Sequence, residues 1–524
     1  MNIRTGILAG LLIAAVLLWW GTLFRSGGKI DAIGSTLPFS PKAPSKKFLT
    51  ELAKIREAEK TEDQVSRCLG YPGLLEFEWD PKIVDAQCHL LSRKMIGWSA
   101  IKDALEQKRP EILQNAFDSY SSRTFKPGEH GFLVWTYWWM FQNPSKDELE
   151  TTNRWVSADA ASAYALAARG THHFAAASAA RGGKYIKDTP AENLDRMNEQ
   201  IVLAKADLDA ALKLNPKLIA AYHGLIRIAQ LKGDDILRSS SIQAALRLDP
   251  ADPWIYDDWM DSLQPNWGGS VEQMQRVADE AMRHADENPL LKLAQAAPVC
   301  YVAERLACRN CELRPDERSA LEVFRKAAKF GPAKCFLSGA GSAAYRTLDY
   351  ESAVLYYSQA MRFSGKHNHL AERASALQML GQNEMALEDL TKALSSSPNN
   401  AYALEVQGYI HETSGRPKEA EKSYLALLQV DPQNEQGRLA LSRLYLTGIP
   451  QPEKARPILS QLLERNPGLA RAWLYTAMLD QGGDQAKCIQ ALETYLKYVD
   501  RTDSHEQVEI PRVEQRLREL KGAH

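Results

Sequence analysis

The residues in this chain best suited to chemistry are few, and each suggests a specific use. Arg181, Gly182, Gly183, Lys184 and Tyr185 place two glycines between cations at the end of a helical pattern. Backbone N–H groups in such a stretch could be aimed at a phosphate or carboxylate. It is not a phosphate-binding loop, because G-x-x-x-x-G-K-[ST] is absent and no strand precedes it. A helix cap describes it better, with Gly182 or Gly183 left-handed and Arg181 and Lys184 near the negative end of the helix dipole. His172 and His173 are adjacent, so on a helix they point about 100° apart and are poorly placed to chelate one ion. Cys300, Cys308, Cys311 and Cys335 lack the paired C-x-x-C knuckles of a zinc ribbon, which leaves disulfides or free thiols and no metal. No G-x-S-x-G, H-E-x-x-H or paired-carboxylate loop is visible, so no catalytic residue and no cofactor is assigned and the chain is read as a non-enzyme.

The elements that carry these residues are helical in composition. Lys plus Arg (64) almost balance Asp plus Glu (65), so a basic nucleic-acid footprint is missing and nucleic acid is not expected as a partner. Residues 6–24 are nineteen uncharged positions, which as a helix at about 1.5 Å per residue reach across a bilayer core of roughly 30 Å. The run leads through Trp19 and Trp20 into Arg25 without a small-x-small cleavage site, and is read as an uncleaved membrane anchor over 1–25. Arg25, Lys29 and Lys42 after the span lean towards a cytoplasmic body. Cys68 and Cys88, twenty residues apart, suit a local disulfide that needs an oxidising compartment, although two buried thiols would also fit. Weighting the cysteines gives a single-pass inner-membrane protein with a periplasmic body.

Prolines reveal the organising period. Pro216 and Pro250 are 34 residues apart, Pro332 and Pro398 are 66 apart, and Pro432 and Pro467 follow at 34 and 35. Alanine stands twelve residues before the proline at Ala204, Ala320, Ala386, Ala420 and Ala455, and five before it at Ala211, Ala245, Ala327 and Ala393. Small side chains are needed where two helices cross closely. On these residues the chain resembles the tetratricopeptide-repeat (TPR) family over 199–264 and 317–500. The fold class expected is all-α, a TPR-type helix-turn-helix superhelix (α-solenoid) preceded by an α-helical module and a single N-terminal transmembrane helix. Its parts are a linker (26–48), a helical module (49–198), irregular helical repeats (265–316) and a capping helix (501–524). In the last unit Cys488 takes the place of the small alanine and is read as a buried free thiol. The aromatic run at 132–141 is too short for a second span and suits a buried helix.

A second resemblance covers roughly 120–285. Arg169, Gly170, the 181–185 stretch, Asp188 and Met197, followed by the PNWGGS stretch at 265–270 and Met274, look like the bacterial domain of unknown function 4034 family. What that resemblance implies is architectural, since the family brings no assigned chemistry.

In the TPR family the first helices line a concave face, chiefly at repeat positions 2, 5, 9 and 12. The positions singled out here are His223, Arg227, Trp254, Asp257, Asp261, Tyr402, Glu405, Tyr409 and Arg443, a partner-binding groove for a protein or peptide. Position 5 holds His223, Asp257, Glu405 and Leu439 where the carboxylate-clamp pattern wants lysine, so no preference for acidic C-terminal tails is expected in this groove. The functional expectation is a membrane-anchored scaffold or adaptor at the bacterial cell envelope. The alternative is an envelope enzyme with a dispersed site around Arg169 to Lys184.

Overall fold

The computed structural model describes residues 43–522, apart from 75, 184–185, 309–315, 365–368, 482 and 502–505. These divide into two compact units, one starting at Pro44 and ending at His369 and one starting at Leu370.

The first unit contains α1 (Lys46–Glu59), α2 (Gln64–Gly70), α3 (Pro81–Leu91), α4 (Trp98–Glu106), α5 (Pro110–Arg123), α6 (Phe132–Met140), α7 (Lys146–Ala158), α8 (Ala163–Arg181) and α9 (Ala191–Leu214). It continues through α10 (Ile219–Lys232), α11 (Asp235–Leu248), α12 (Pro253–Ser262), α13 (Val271–Met282), α14 (Ala296–Ala307), α15 (Glu317–Ala327), α16 (Lys334–Arg346) and α17 (Tyr350–Ser364). The second unit contains α18 (Leu370–Met379), α19 (Asn383–Ser396), α20 (Ala401–Thr413), α21 (Pro417–Val430), α22 (Glu435–Thr447), α23 (Pro452–Arg465), α24 (Ala470–Asp480), α25 (Gln485–Tyr498) and α26 (Glu506–Gly522).

Five of the six phased prolines end second helices in the same way, while Pro332 follows a 3-10 turn and Gly331 at φ 129°. Asn215, Asp249, Ser397, Asp431 and Asn466, each the residue before a series proline, leave the helix at φ between −131° and −143° with ψ between 82° and 93°. That is the extended conformation a following proline imposes on its neighbour. Their N–H groups still donate to Ala211, Ala245, Ala393, Leu427 and Leu462, closing the last turn. The alanines in register are buried where helices cross. Gly408 on α20 shows how close that crossing is, since an added Cβ would lie 2.4 Å from the Tyr424 ring on α21. Replacing it by a larger residue forces the two helices apart.

Consecutive helices pack as pairs, and successive first helices also touch one another: α18, α20, α22 and α24 in one unit, and α8, α10, α12, α14 and α16 in the other. First helices therefore form one continuous layer in each unit. The paired packing begins at α8 and α9, ahead of residue 199, and continues through the irregular segment as α12 with α13 and α14 with α15. Between Pro250 and Pro332 the added length goes into short 3-10 turns at Pro265–Trp267 and Pro289–Gln295 and into the connection between α14 and α15.

The helices before α8 surround an aromatic core. Phe117 meets Tyr120, Tyr137, Phe141, Trp155 and Tyr164 with ring centroids 5.2–6.3 Å apart, and α6 is largely buried. Two bridges fasten this unit, Cys68–Cys88 between α2 and α3 and Cys300–Cys335 between α14 and α16. Cys308 is also disulfide-bonded, while Cys311 lies outside the described residues. Cys488 is a buried free thiol whose Sγ lies 3.5 Å from the Ala477 carbonyl.

One expectation is corrected. Among the described residues no helix is long and apolar enough to cross a membrane. The anchor read at 6–24 lies outside them. The described residues form an all-α solenoid, and nothing among them supports the single N-terminal transmembrane helix or the single-pass inner-membrane placement with a periplasmic body.

Candidate functional site

The first-helix layers carry the nine residues expected to face a partner, but the structure uses several of them internally. In the second unit Arg443 on α22 forms two hydrogen bonds of 2.9 Å to the Glu412 carboxylate on α20. The Tyr424 hydroxyl donates to the same carboxylate at 2.8 Å. Arg443 is thus a tie between neighbouring first helices rather than an open anchor. Leu439 is buried. Tyr402 is 41% exposed and Tyr409 is half-buried, one on each side of Glu405 along α20. Glu405 makes no ion pair within 4 Å among the described residues, and burial raises its carboxyl pKa.

In the first unit His223 on α10 is buried, with Nε2 2.7 Å from Oδ2 of Asp258 on α12. Arg227 lies 3.8 Å from the other Asp258 oxygen and covers the Phe174 ring at 5.1 Å. Burial would raise the Asp258 pKa, but the charges of His223 and Arg227 outweigh it and hold the carboxyl below its usual value. Trp254 is turned against the N-terminal module, stacked on Trp138 at 6.5 Å and 9°. It fits there because Gly131, at φ +72°, has no Cβ to strike it. Asp257 and Asp261 reach solvent. Desolvation by the neighbouring side chains, followed by the Asp258 charge, pushes the Asp261 carboxyl up to about 6. Glu304 on α14 is raised by the same two causes, with Asp261 as the neighbouring charge. Sequence reasoning passed over Asp258, which lies one position beyond the template, and Glu304, which lies where the proline register is lost.

The other candidate residues build no converging site among the described residues. Gly182 ends α8 at φ 67° and ψ −169°, so its φ is positive without being left-handed helical. An added Cβ at Gly182 or Gly183 would meet nothing within 4 Å, and Lys184 and Tyr185 lie outside the described residues. Arg169 is engaged by Asp207 through two hydrogen bonds of 2.7 Å. His173 bonds Gln200 at 2.8 Å. No group of residues with metal-binding geometry occurs among the described residues.

His172 is buried on α8, and burial, then His173, push its imidazole down to about 4, with a hydrogen bond to the Asn143 backbone acting the other way. An unfolded histidine titrates near 6.5, so between about 6.5 and 4 the unfolded chain binds the proton that the folded chain refuses. Stability of the first unit should therefore fall as pH drops through that window. Thermal melts of the wild type and of His172→Asn, compared at pH 7 and pH 4.5, test this: the wild type should lose more on acidification. Parallel losses would remove the assignment.

Residues 401–434, α20 with α21 and the turn after it, match the family described as Tetratricopeptide repeat. The chain carries tetratricopeptide repeats. Among curated proteins it is similar to the Protein STIP1 homolog of Dictyostelium discoideum, 37% identical over 123 residues, 22% of this chain and 21% of that protein. It is similar also to the small glutamine-rich tetratricopeptide repeat-containing protein 2 of Mycosarcoma maydis, 30% identical over 100 residues, 19% of this chain and 28% of that protein. The chain thus spans between a fifth and a third of these relatives' lengths. Among solved structures it resembles YrrB, a TPR protein with an unusual peptide-binding site, at 20% identity and a TM-score of 0.29, covering 37% of this chain and 96% of that one. The TPR assignment gives the first-helix layers their meaning, since stacked repeats of this kind serve as protein–protein interaction scaffolds.

Proposed function

We propose that this protein is a scaffold or adaptor that holds a protein or peptide partner against its first-helix faces. The observation that carries the reading is Glu405, an enclosed carboxylate without an ion pair among the described residues, set between Tyr402 and Tyr409 on α20. Tyrosines beside a desolvated charge are the usual composition of a binding hot spot. Asp257, Asp261 and Glu304 give the face of the first unit an acidic character as well. Grooves of this charge favour cationic segments, which agrees with the expectation that acidic C-terminal tails are not preferred. The resemblance to the domain of unknown function 4034 family over 120–285 belongs to this proposal as architecture alone. The envelope-enzyme alternative draws no support from the described geometry around Arg169 and Gly182.

The test is photo-crosslinking from position 402 or 409 of the full chain, with the captured protein identified by mass spectrometry. Affinity for that protein is then measured with Tyr402→Ala and Tyr409→Ala. Truncating a hot-spot tyrosine should weaken binding by about tenfold or more. Unchanged affinity in both variants would count against this groove.

A further inference from the structure

Helix α12 has a second edge that the first-helix layer does not use. Asp257 and Asp261 face the groove, whereas Tyr256, Trp259 and Leu263 recur at i, i+3 and i+7 along a different stripe. Because α12 is only ten residues long and gives way to the Pro265–Trp267 turn, α11 and α13 leave a cleft of about 690 Å³ beside that stripe. Leu246, Trp259, Leu263 and Val277 supply its apolar walls, and Tyr256 stacks on Trp259 at 6.4 Å and 22°.

The rim decides what such a cleft can take. Glu280 is engaged by Arg283 at 2.8 Å and His284 by Glu287 at 3.0 Å, so neither offers an open charge. Arg247 on α11 and Arg276 on α13 also line the cleft, both exposed, and neither guanidinium makes an ion pair within 4 Å among the described residues. Two open cations therefore flank an aromatic floor. A purely apolar occupant would leave both guanidinium groups unanswered, and a bare anion would leave the floor uncovered.

We propose that the cleft between α11, α12 and α13 is a second docking site, which takes a peptide segment of a partner protein carrying a large apolar side chain with carboxylates beside it. The apolar side chain covers Trp259 and Val277, and the carboxylates accept hydrogen bonds from Arg247 and Arg276. The site is independent of the groove around Glu405 and stands whether or not that groove binds.

Fluorescence polarisation of a fluorescein-labelled Asp-Glu-Leu-Phe-Glu-Asp peptide with the full chain tests the proposal. The peptide should bind saturably and more weakly as salt is added. Arg247→Glu with Arg276→Glu, both at exposed positions, should weaken binding by at least about tenfold while leaving the melting temperature in place. The same double variant should gain affinity for the charge-swapped Lys-Lys-Leu-Phe-Lys-Lys peptide. Absence of saturable binding to the acidic peptide, or equal binding by wild type and double variant, would overturn the proposal. Loss in Tyr402→Ala with Tyr409→Ala, in place of the arginine variant, would also overturn it by putting the peptide in the other groove.

Discussion

Replacing Arg373 by methionine should destabilise the 370–524 unit by about 3–5 kcal/mol, because it strips a buried carboxylate of the guanidinium that it pairs with. Arg373 on α18 and Asp389 on α19 are both 0% exposed and share two hydrogen bonds, Nε to Oδ2 at 2.8 Å and Nη2 to Oδ1 at 2.9 Å. With the arginine gone, Asp389 must either stay charged in a low-dielectric interior or take up a proton. Asp389→Leu alone should cost a similar amount for the reciprocal reason. The double replacement Arg373→Met with Asp389→Leu should recover most of the loss, since neither charge then remains to be desolvated. Denaturant titration of the three variants, followed by circular dichroism, gives the comparison. Single-variant losses below about 1 kcal/mol would show that the pair is solvated in solution.

Removing the Cys68–Cys88 bridge should cost about 3 kcal/mol, the chain entropy regained by freeing a loop of twenty residues. Both cysteines are buried, and the loop they close is docked onto α17, where Arg362 donates to the Cys68 carbonyl at 2.6 Å and Gln359 to the Pro72 carbonyl at 2.7 Å. Loss of the bridge therefore loosens α2 and α3 together with their seat on α17. Cys68→Ala with Cys88→Ala should melt several degrees below the wild type under oxidising conditions. Full reduction should close most of that gap, because the wild type then lacks the bridge as well. Identical melting under oxidising conditions would mean that the loop is already constrained in the unfolded chain.

The repeat itself was legible because it is written in residue types that permit few alternatives. A proline cannot continue a helix, and an alanine at a close crossing cannot grow without moving a neighbour, so Pro216, Pro250, Ala204 and Ala245 announce their positions. Where those markers lapse, so does the reading. The α8 and α9 pair has no series proline ahead of its first helix, and the long connection at 182–190 breaks the period, so the layer begins earlier than 199. The first helices were legible, but not what their side chains do. Arg443 and Glu412 lie 31 residues apart on successive first helices, and a position template cannot show that they neutralise each other. Nor can it show that Trp254 settles against Gly131, or that a charged pair such as Arg373 and Asp389 sits in an interior. The anchor expected at 6–24 lies outside the described residues, and among those no helix is long and apolar enough to cross a membrane.

Cys68, Cys88, Cys300, Cys308 and Cys335 are all held in bridges, which leaves Cys488 as the thiol among the described residues that can add to a maleimide. It sits between α24 and α25, and burial raises its pKa, so the closed repeat presents neither access nor thiolate. Labelling must wait for those helices to part. Its rate in native buffer is accordingly a built-in clock for the breathing of the C-terminal repeats, readable without any engineered reporter.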